Sequence, residues 1–163
     1  MSDTIETRLA APVFEDRPLT HLAGLKRRQR MSQANLVPLQ WQEFTPYLGN
    51  IPGGIGRSAY GVVGNIAQIG DDYDYYSVVE VDGRHALPSD LISLDLPAQR
   101  FARFRHEGHV STIRSTIGAI FEKWQLHPGT TSDGSFGFIE YYGPGFDPAA
   151  GLGDIEIWIA APK

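Results

Sequence analysis

The residues best suited to chemistry lie in two strand-like runs. In Ile155-Glu156-Ile157-Trp158-Ile159 aliphatic side chains alternate with an acid and an indole, and a strand sends alternate side chains to opposite faces. Burial of the three isoleucines leaves Glu156 and Trp158 together on the other face. In Tyr75-Tyr76-Ser77-Val78-Val79-Glu80-Val81, burial of Val79 and Val81 likewise leaves Tyr76, Val78 and Glu80 opposite. An aromatic wall carrying a carboxylate suits a flat, lipophilic cation. The ring face supplies cation–π attraction of about 0.5–2 kcal/mol, and the acid supplies the counter-charge. A carboxylate buried there without a partner is costly and awaits a cation. The plainer reading of the same pattern is an open sheet face, with its acids in water and its aromatics under loops.

Elements of two kinds must position these residues. Val37, Trp41, Phe44 and Leu48 fall at i, i+4, i+7 and i+11, one face of a helix. Asn35 and Pro38 fit its start, Gly49-Asn50 its end, and Pro46 shortens its last turn. Ile113, Ile117, Ile120 and Trp124 repeat that spacing, with Ser111 or Thr112 as cap and His127-Pro128-Gly129 as stop. Each of these four pairs is 76 residues apart, and the closing strands match at 78, Val79 on Ile157 and Val81 on Ile159. Strands are expected over 19–30, 59–64 and 75–81. In the second half they are expected over 91–106 (broken at Pro97-Ala98), 136–142 and 155–159. Pro52-Gly53-Gly54-Ile55-Gly56 reads as a loop.

The pattern predicts an α+β fold of two pseudo-twofold-related β-α-β-β modules, about residues 15–82 and 91–163. They form one curved antiparallel sheet with two helices on one face and a ligand groove on the other. Residues 1–12 read as a flexible N-terminal segment and 13–163 as a single domain.

Composition narrows the function. With 42% hydrophobic and 20% charged residues in 163, the chain can bury a real core. The net charge of -5, with one basic run at Lys26-Arg27-Arg28-Gln29-Arg30, argues against duplex DNA. That run reads as a solvated strand edge. Zero cysteines exclude disulfides, thiolate metal sites and cysteine nucleophiles. No apolar run approaches the about 20 residues of a membrane span, and the start lacks a signal peptide, so a cytoplasmic protein is expected. His21, His85, His106, His109 and His127 are scattered, so no metal site is expected. Ser115 and the other serines have no nucleophile-elbow context, and Gly53-Gly54-Ile55-Gly56 lacks the lysine of a phosphate loop. Trp41 and Trp124 read as core. Asp71, Asp72 and Asp74, interleaved with Tyr73 and Tyr75, read as a hairpin turn or an acidic aromatic lip.

Three segments carry a resemblance. Tyr76-Ser77-Val78-Val79-Glu80-Val81 resembles a "Y-x-G-V-E-V" strand. Pro97-Ala98-Gln99-Arg100-Phe101-Ala102-Arg103-Phe104-Arg105-His106-Glu107-Gly108 is similar to "P-A-G-x-Y-A-V-F-x-H-x-G", and Ile155-Glu156-Ile157-Trp158-Ile159 to a terminal "E-I-W-I-P" strand. Their order, over about residues 15–163, resembles the GyrI-like small-molecule-binding family, the effector-binding domains of AraC-type and BmrR-type regulators. Gln99 replaces the usual Gly, Phe101 the Tyr, Ser77-Val78 the small-residue step and Ala160 the terminal Pro. The resemblance implies a central acidic-aromatic groove that binds a bulky, aromatic, cationic small molecule, for sequestration or sensing of a xenobiotic, with no cofactor. Glu156 is then the acid and Trp158 its aromatic partner, with Glu140, Tyr142, Tyr76 and Glu80 from neighbouring strands. Regulators of the family carry a helix-turn-helix ahead of this module. About a dozen residues precede the first strand here, so direct DNA binding is not expected. Two alternatives stay open. One is hydrolysis of cyclopropanoid toxins, with Glu156 as base and Tyr76 or Tyr142 orienting the substrate. The other is regulation of a protein partner of the gyrase-inhibitor kind. A homodimer is compatible with each.

Overall fold

The computed structural model describes residues 9–33, 36–125 and 127–162; residues 1–8 of the expected N-terminal segment and the proposed cap Asn35 lie outside them. The first half comprises β1 (Val13–Arg17), β2 (Thr20–Arg30), α1 (Leu36–Phe44), β3 (Gly54–Gly64) and β4 (Asp72–Val81). The second comprises β5 (Ile92–Leu96), β6 (Gln99–Arg105), α2 (Ile113–Lys123), β7 (Gly129–Thr131), β8 (Gly134–Tyr142) and β9 (Ile155–Ala161). Pro46, which has no N–H to give, ends α1 in a 3-10 turn at Thr45–Tyr47. Leu48 and Trp124, the fourth member of each predicted helical stripe, therefore lie past the helix ends and are 41% and 37% exposed. Phe44 and Ile120, the third members, are fully buried.

All strands join one antiparallel sheet in the order β1-β6-β9-β8-β3-β4-β2-β5, with β7 added beside β8. The two repeats are legible in that order. β6, β9 and β8 of one module mirror β2, β4 and β3 of the other, and the halves meet at the β8–β3 seam. The leading strands are exchanged. β1 precedes β2 but pairs with β6, and β5 precedes β6 but pairs with β2. Only Pro18-Leu19 separates β1 from β2, and only Pro97-Ala98 separates β5 from β6. Strands far apart in the sheet order are thus tied by two-residue links, so the sheet must curl. Arg17 of β1 consequently comes within 4.0 Å of Glu80 on β4, across the enclosed face.

The enclosed face is packed solid. Leu22, Val62, Tyr76, Phe101, Ile139 and Trp158 are among the side chains that fill it, each nearly or wholly inaccessible. The helices cover the other face, where Phe104, Ile120, Ile157 and Ile159 form one cluster and Ala23, Leu25, Phe44 and Val81 another. The expected strands, helices and module order are all present. The face away from the helices, where the groove is expected, is filled by side chains such as Tyr76, Phe101 and Trp158 among the described residues. The open space lies on the helix side.

Candidate functional site

A cavity of about 1220 Å³ opens between α1 and α2 over the β3–β8 seam. Val37 and Trp41 of α1 form one wall, and Ile113, Ile117 and Phe121 of α2 the other. Tyr73, Tyr75, Phe138, Glu140 and Tyr142 belong to its floor strands. The second members of the two predicted helical stripes, Trp41 and Ile117, thus face each other across it. β3 loses its register with β4 between Gly54 and Ala59. The released residues, Ile55 to Ser58, border one end of the cavity, with Gly56 at φ +68° making the turn. Pro144, Phe146 and Pro148 also border it.

Glu140 is the buried acid of this floor. Its Oε1 accepts hydrogen bonds from the Tyr75 hydroxyl at 2.5 Å and the Tyr142 hydroxyl at 3.2 Å. Tyr75 Oη in turn accepts from the Trp41 indole N–H at 2.9 Å. Trp41 stands edge-on to Tyr142 with ring centroids 5.6 Å apart. Burial raises the Glu140 carboxyl above its ordinary value, and the two tyrosine donors and the Arg114 charge only partly offset this. Burial, and then the Glu140 charge, push both tyrosines far up, so they stay neutral donors. The arrangement is a desolvated carboxylate with aromatic neighbours and no cation in hydrogen-bonding contact among the described residues.

Gly61 explains how the acid fits. In the antiparallel β3–β8 pair Gly61 lies opposite Glu140. A Cβ at position 61 would stand 2.2 Å from Tyr75 Oη and 2.8 Å from Glu140 Oε1. One side of the seam must be bare for the other to carry the hydrogen-bonded acid. Gly61→Ala is expected to cost about 1–3 kcal/mol of stability by overpacking and to weaken binding in the cavity. Thermal melts and a ligand titration check both.

The sequence-predicted residues divide between the two faces. Glu140 and Tyr142 share the cavity. Glu80 borders it, while its carboxylate lies 4.0 Å from Arg17. Glu156, Trp158 and Tyr76 lie on the enclosed face and do not line the cavity. There the predicted chemistry is satisfied internally. Arg103 lies opposite Trp158 in the β6–β9 pair, donates to Glu156 at 2.8 Å and to Glu15 at 2.6 Å, and stacks 5.0 Å from the Trp158 ring. Trp158 also donates its indole N–H to Glu156 at 2.8 Å and stacks on Tyr141 with centroids 4.7 Å apart. The acid and indole do hold a cation, and that cation is the protein's own arginine. Glu156 Oε1 is thus engaged by two donors of the protein itself. Tyr76 donates to Asp133 at 2.6 Å, with its hydroxyl pushed up by burial and then by that bond.

Trp41, assigned to the core, and Tyr75, read with its acidic neighbours as a hairpin turn or an acidic aromatic lip, are two cavity residues that the ligand candidates did not include. Trp124 packs edge-on against Phe104. Several of the histidines have side-chain partners within the protein. His106 bonds Thr116 and the His109 carbonyl, His21 pairs with Asp95, and His85 with Asp82. Among the described residues no group of three or more His, Cys, Asp or Glu is arranged to hold a metal, and no helix is long and apolar enough to cross a membrane.

The curled sheet of paired modules with two helices on one face is the GyrI-like effector-binding fold. The chain belongs to the Cass2 family, described as integron-associated effector binding protein, whose model matches residues 15–161. An integron cassette protein from the mobile metagenome of Vibrio cholerae shares the fold at 13% identity and TM-score 0.61, covering 93% of this chain and 95% of that one. SAV2435, solved bound to tetraphenylphosphonium, shares it at 17% identity and TM-score 0.67, covering 93% of each chain. A Staphylococcus aureus MU50 protein described under transcription regulation shares it at 16% identity and TM-score 0.60, covering 91% of this chain and 96% of that one. No curated protein sequence matches the chain.

Proposed function

We propose that this protein binds a bulky aromatic cation in the cavity between α1 and α2, sequestering it or sensing it, with Glu140 as counter-charge. The observation that carries this reading is the buried, tyrosine-held carboxylate at the floor of an aromatic cavity. An ionised acid out of water is costly unless paired. An entering organic cation pairs it and also gains the ring faces of Trp41 and Tyr142. The cavity volume exceeds the about 300–1,000 Å³ typical of small-molecule sites, which suits a large, multi-ring ligand. SAV2435, a protein of the same fold, was solved with such a cation bound, and this supports the assignment. Among the sequence candidates the reading places Glu140 and Tyr142 in contact with ligand and leaves Glu156 and Trp158 as architecture.

The test is calorimetric titration with tetraphenylphosphonium. One saturable site per chain is expected, and Trp41→Ala is expected to weaken it about three- to thirtyfold, the range of a desolvated cation–π contact. Absence of saturable binding up to about 1 mM, an affinity of only about 4 kcal/mol, would overturn the reading.

A further inference from the structure

We infer that the ligand of this cavity is amphoteric: an aromatic molecule whose cationic end meets Glu140 on the floor and whose anionic group, a carboxylate or its equivalent, meets Arg57 and Arg114. The inference rests on the cation reading above and adds a second charge to the ligand. Both arginines line the cavity, and they come from different parts of the fold. Arg57 sits on the segment of β3 released from register with β4, and Arg114 sits in the first turn of α2.

Neither arginine has a carboxylate partner among the described residues, and this sets them apart. Arg17, Arg27, Arg28, Arg30, Arg100 and Arg103 each reach an acid within 4.0 Å. Arg84 and Arg105 also lack one, but neither lines the cavity. Arg114 additionally has no acidic neighbour in its own helical turn. Glu140 feels its charge but is hydrogen-bonded by Tyr75 and Tyr142 instead. Glu80, the other acid bordering the cavity, is turned toward Arg17.

The cavity therefore presents negative charge at its floor and unpaired positive charge along its sides. A purely cationic ligand gains the first and must pass the second. A ligand with a carboxylate converts that repulsion into charge-assisted hydrogen bonds, for which the planar guanidinium is well shaped. Opposed charges on one rigid ring system also fix its orientation, which a lone cation cannot do.

The test uses one ring system with and without the acid: rhodamine B, a zwitterion at neutral pH, and its ethyl ester, a cation, followed by fluorescence polarisation. The zwitterion is expected to bind about tenfold more tightly than the ester. Arg57→Gln/Arg114→Gln is expected to reverse that order, weakening rhodamine B and strengthening the ester. Both side chains are exposed, and an unchanged melting temperature confirms that the double variant is folded. Equal or weaker binding of rhodamine B by the wild type overturns the amphoteric assignment, while ester binding leaves the cation reading standing. A preference for rhodamine B that survives in the double variant overturns the assignment to these two arginines. Binding of neither dye overturns both readings.

Discussion

Glu140→Gln is expected to lose cation binding and gain stability. The amide keeps the size of the side chain and an oxygen to accept from Tyr75 Oη, so the cavity keeps its shape and loses its charge. Removing one partner of a desolvated charge pair costs about 2 kcal/mol or more, or about thirtyfold in affinity for tetraphenylphosphonium. The stability effect has the opposite sign. Because burial raises the Glu140 carboxyl in the folded protein, the native state holds its proton at pH values where the unfolded chain has released it. Wild-type stability therefore falls as pH rises from the ordinary carboxylate value through the raised one. Glutamine has no such step. The melting temperature of the variant should match the wild type near pH 4 and exceed it at pH 8, by about 2–4 °C for each kcal/mol recovered. Wild-type affinity for the same cation, which cannot itself titrate, should rise over the interval in which Glu140 ionises and then level off. The variant should show no such rise. A variant that binds like the wild type at all pH values would remove Glu140 from the site.

The alternation in the last strand shows how far the sequence reaches. Isoleucine at 157 and 159 does face the helices, and Glu156 with Trp158 does share the other face. Periodicity reports which side chains share a face; it does not report which face is open. That was decided by the exchange of β1 and β5, whose two-residue links curl the sheet, and neither link has a local pattern that reveals its distant partner. Arg103 is a second instance. Its place opposite Trp158 follows from the β6–β9 register, and without that register it is an arginine between an alanine and a phenylalanine. In Phe138-Ile139-Glu140-Tyr141-Tyr142 both faces are rich in apolar or aromatic residues, so alternation could not say which side Glu140 takes. Trp41 escaped for a related reason. An apolar stripe on a helix reads as core, and a cavity between two helices uses the same residues.

Trp158→Ala separates the two faces experimentally. The indole is fully buried and packed by Tyr60, Phe101 and Tyr141, with the Arg17 and Arg103 guanidinium groups over it. Its removal leaves a large void in the enclosed face, and such truncations cost about 3–5 kcal/mol. It also strips the ring from beside the Arg103–Glu156 pair and removes one of the donors to Glu156 Oε1. Against a typical total stability of about 5–15 kcal/mol, the loss should be large in a denaturant melt and should make the protein heat-sensitive. Trp158→Phe, which keeps a ring for Tyr141 to stack on and loses only the N–H and part of the volume, should recover much of it. The cavity wall is untouched by either change, so tetraphenylphosphonium affinity per folded molecule should stay near the wild-type value in Trp158→Phe. If the enclosed face were the binding surface, the pattern would invert: dye binding would vanish in the phenylalanine variant while the melt barely moved. The strong internal satisfaction of Glu156 by Arg103 and Trp158 argues for the first outcome. A site that awaits a cation leaves a buried acid without one, and Glu140, buried and held only by two tyrosine hydroxyls among the described residues, meets that condition where Glu156 does not.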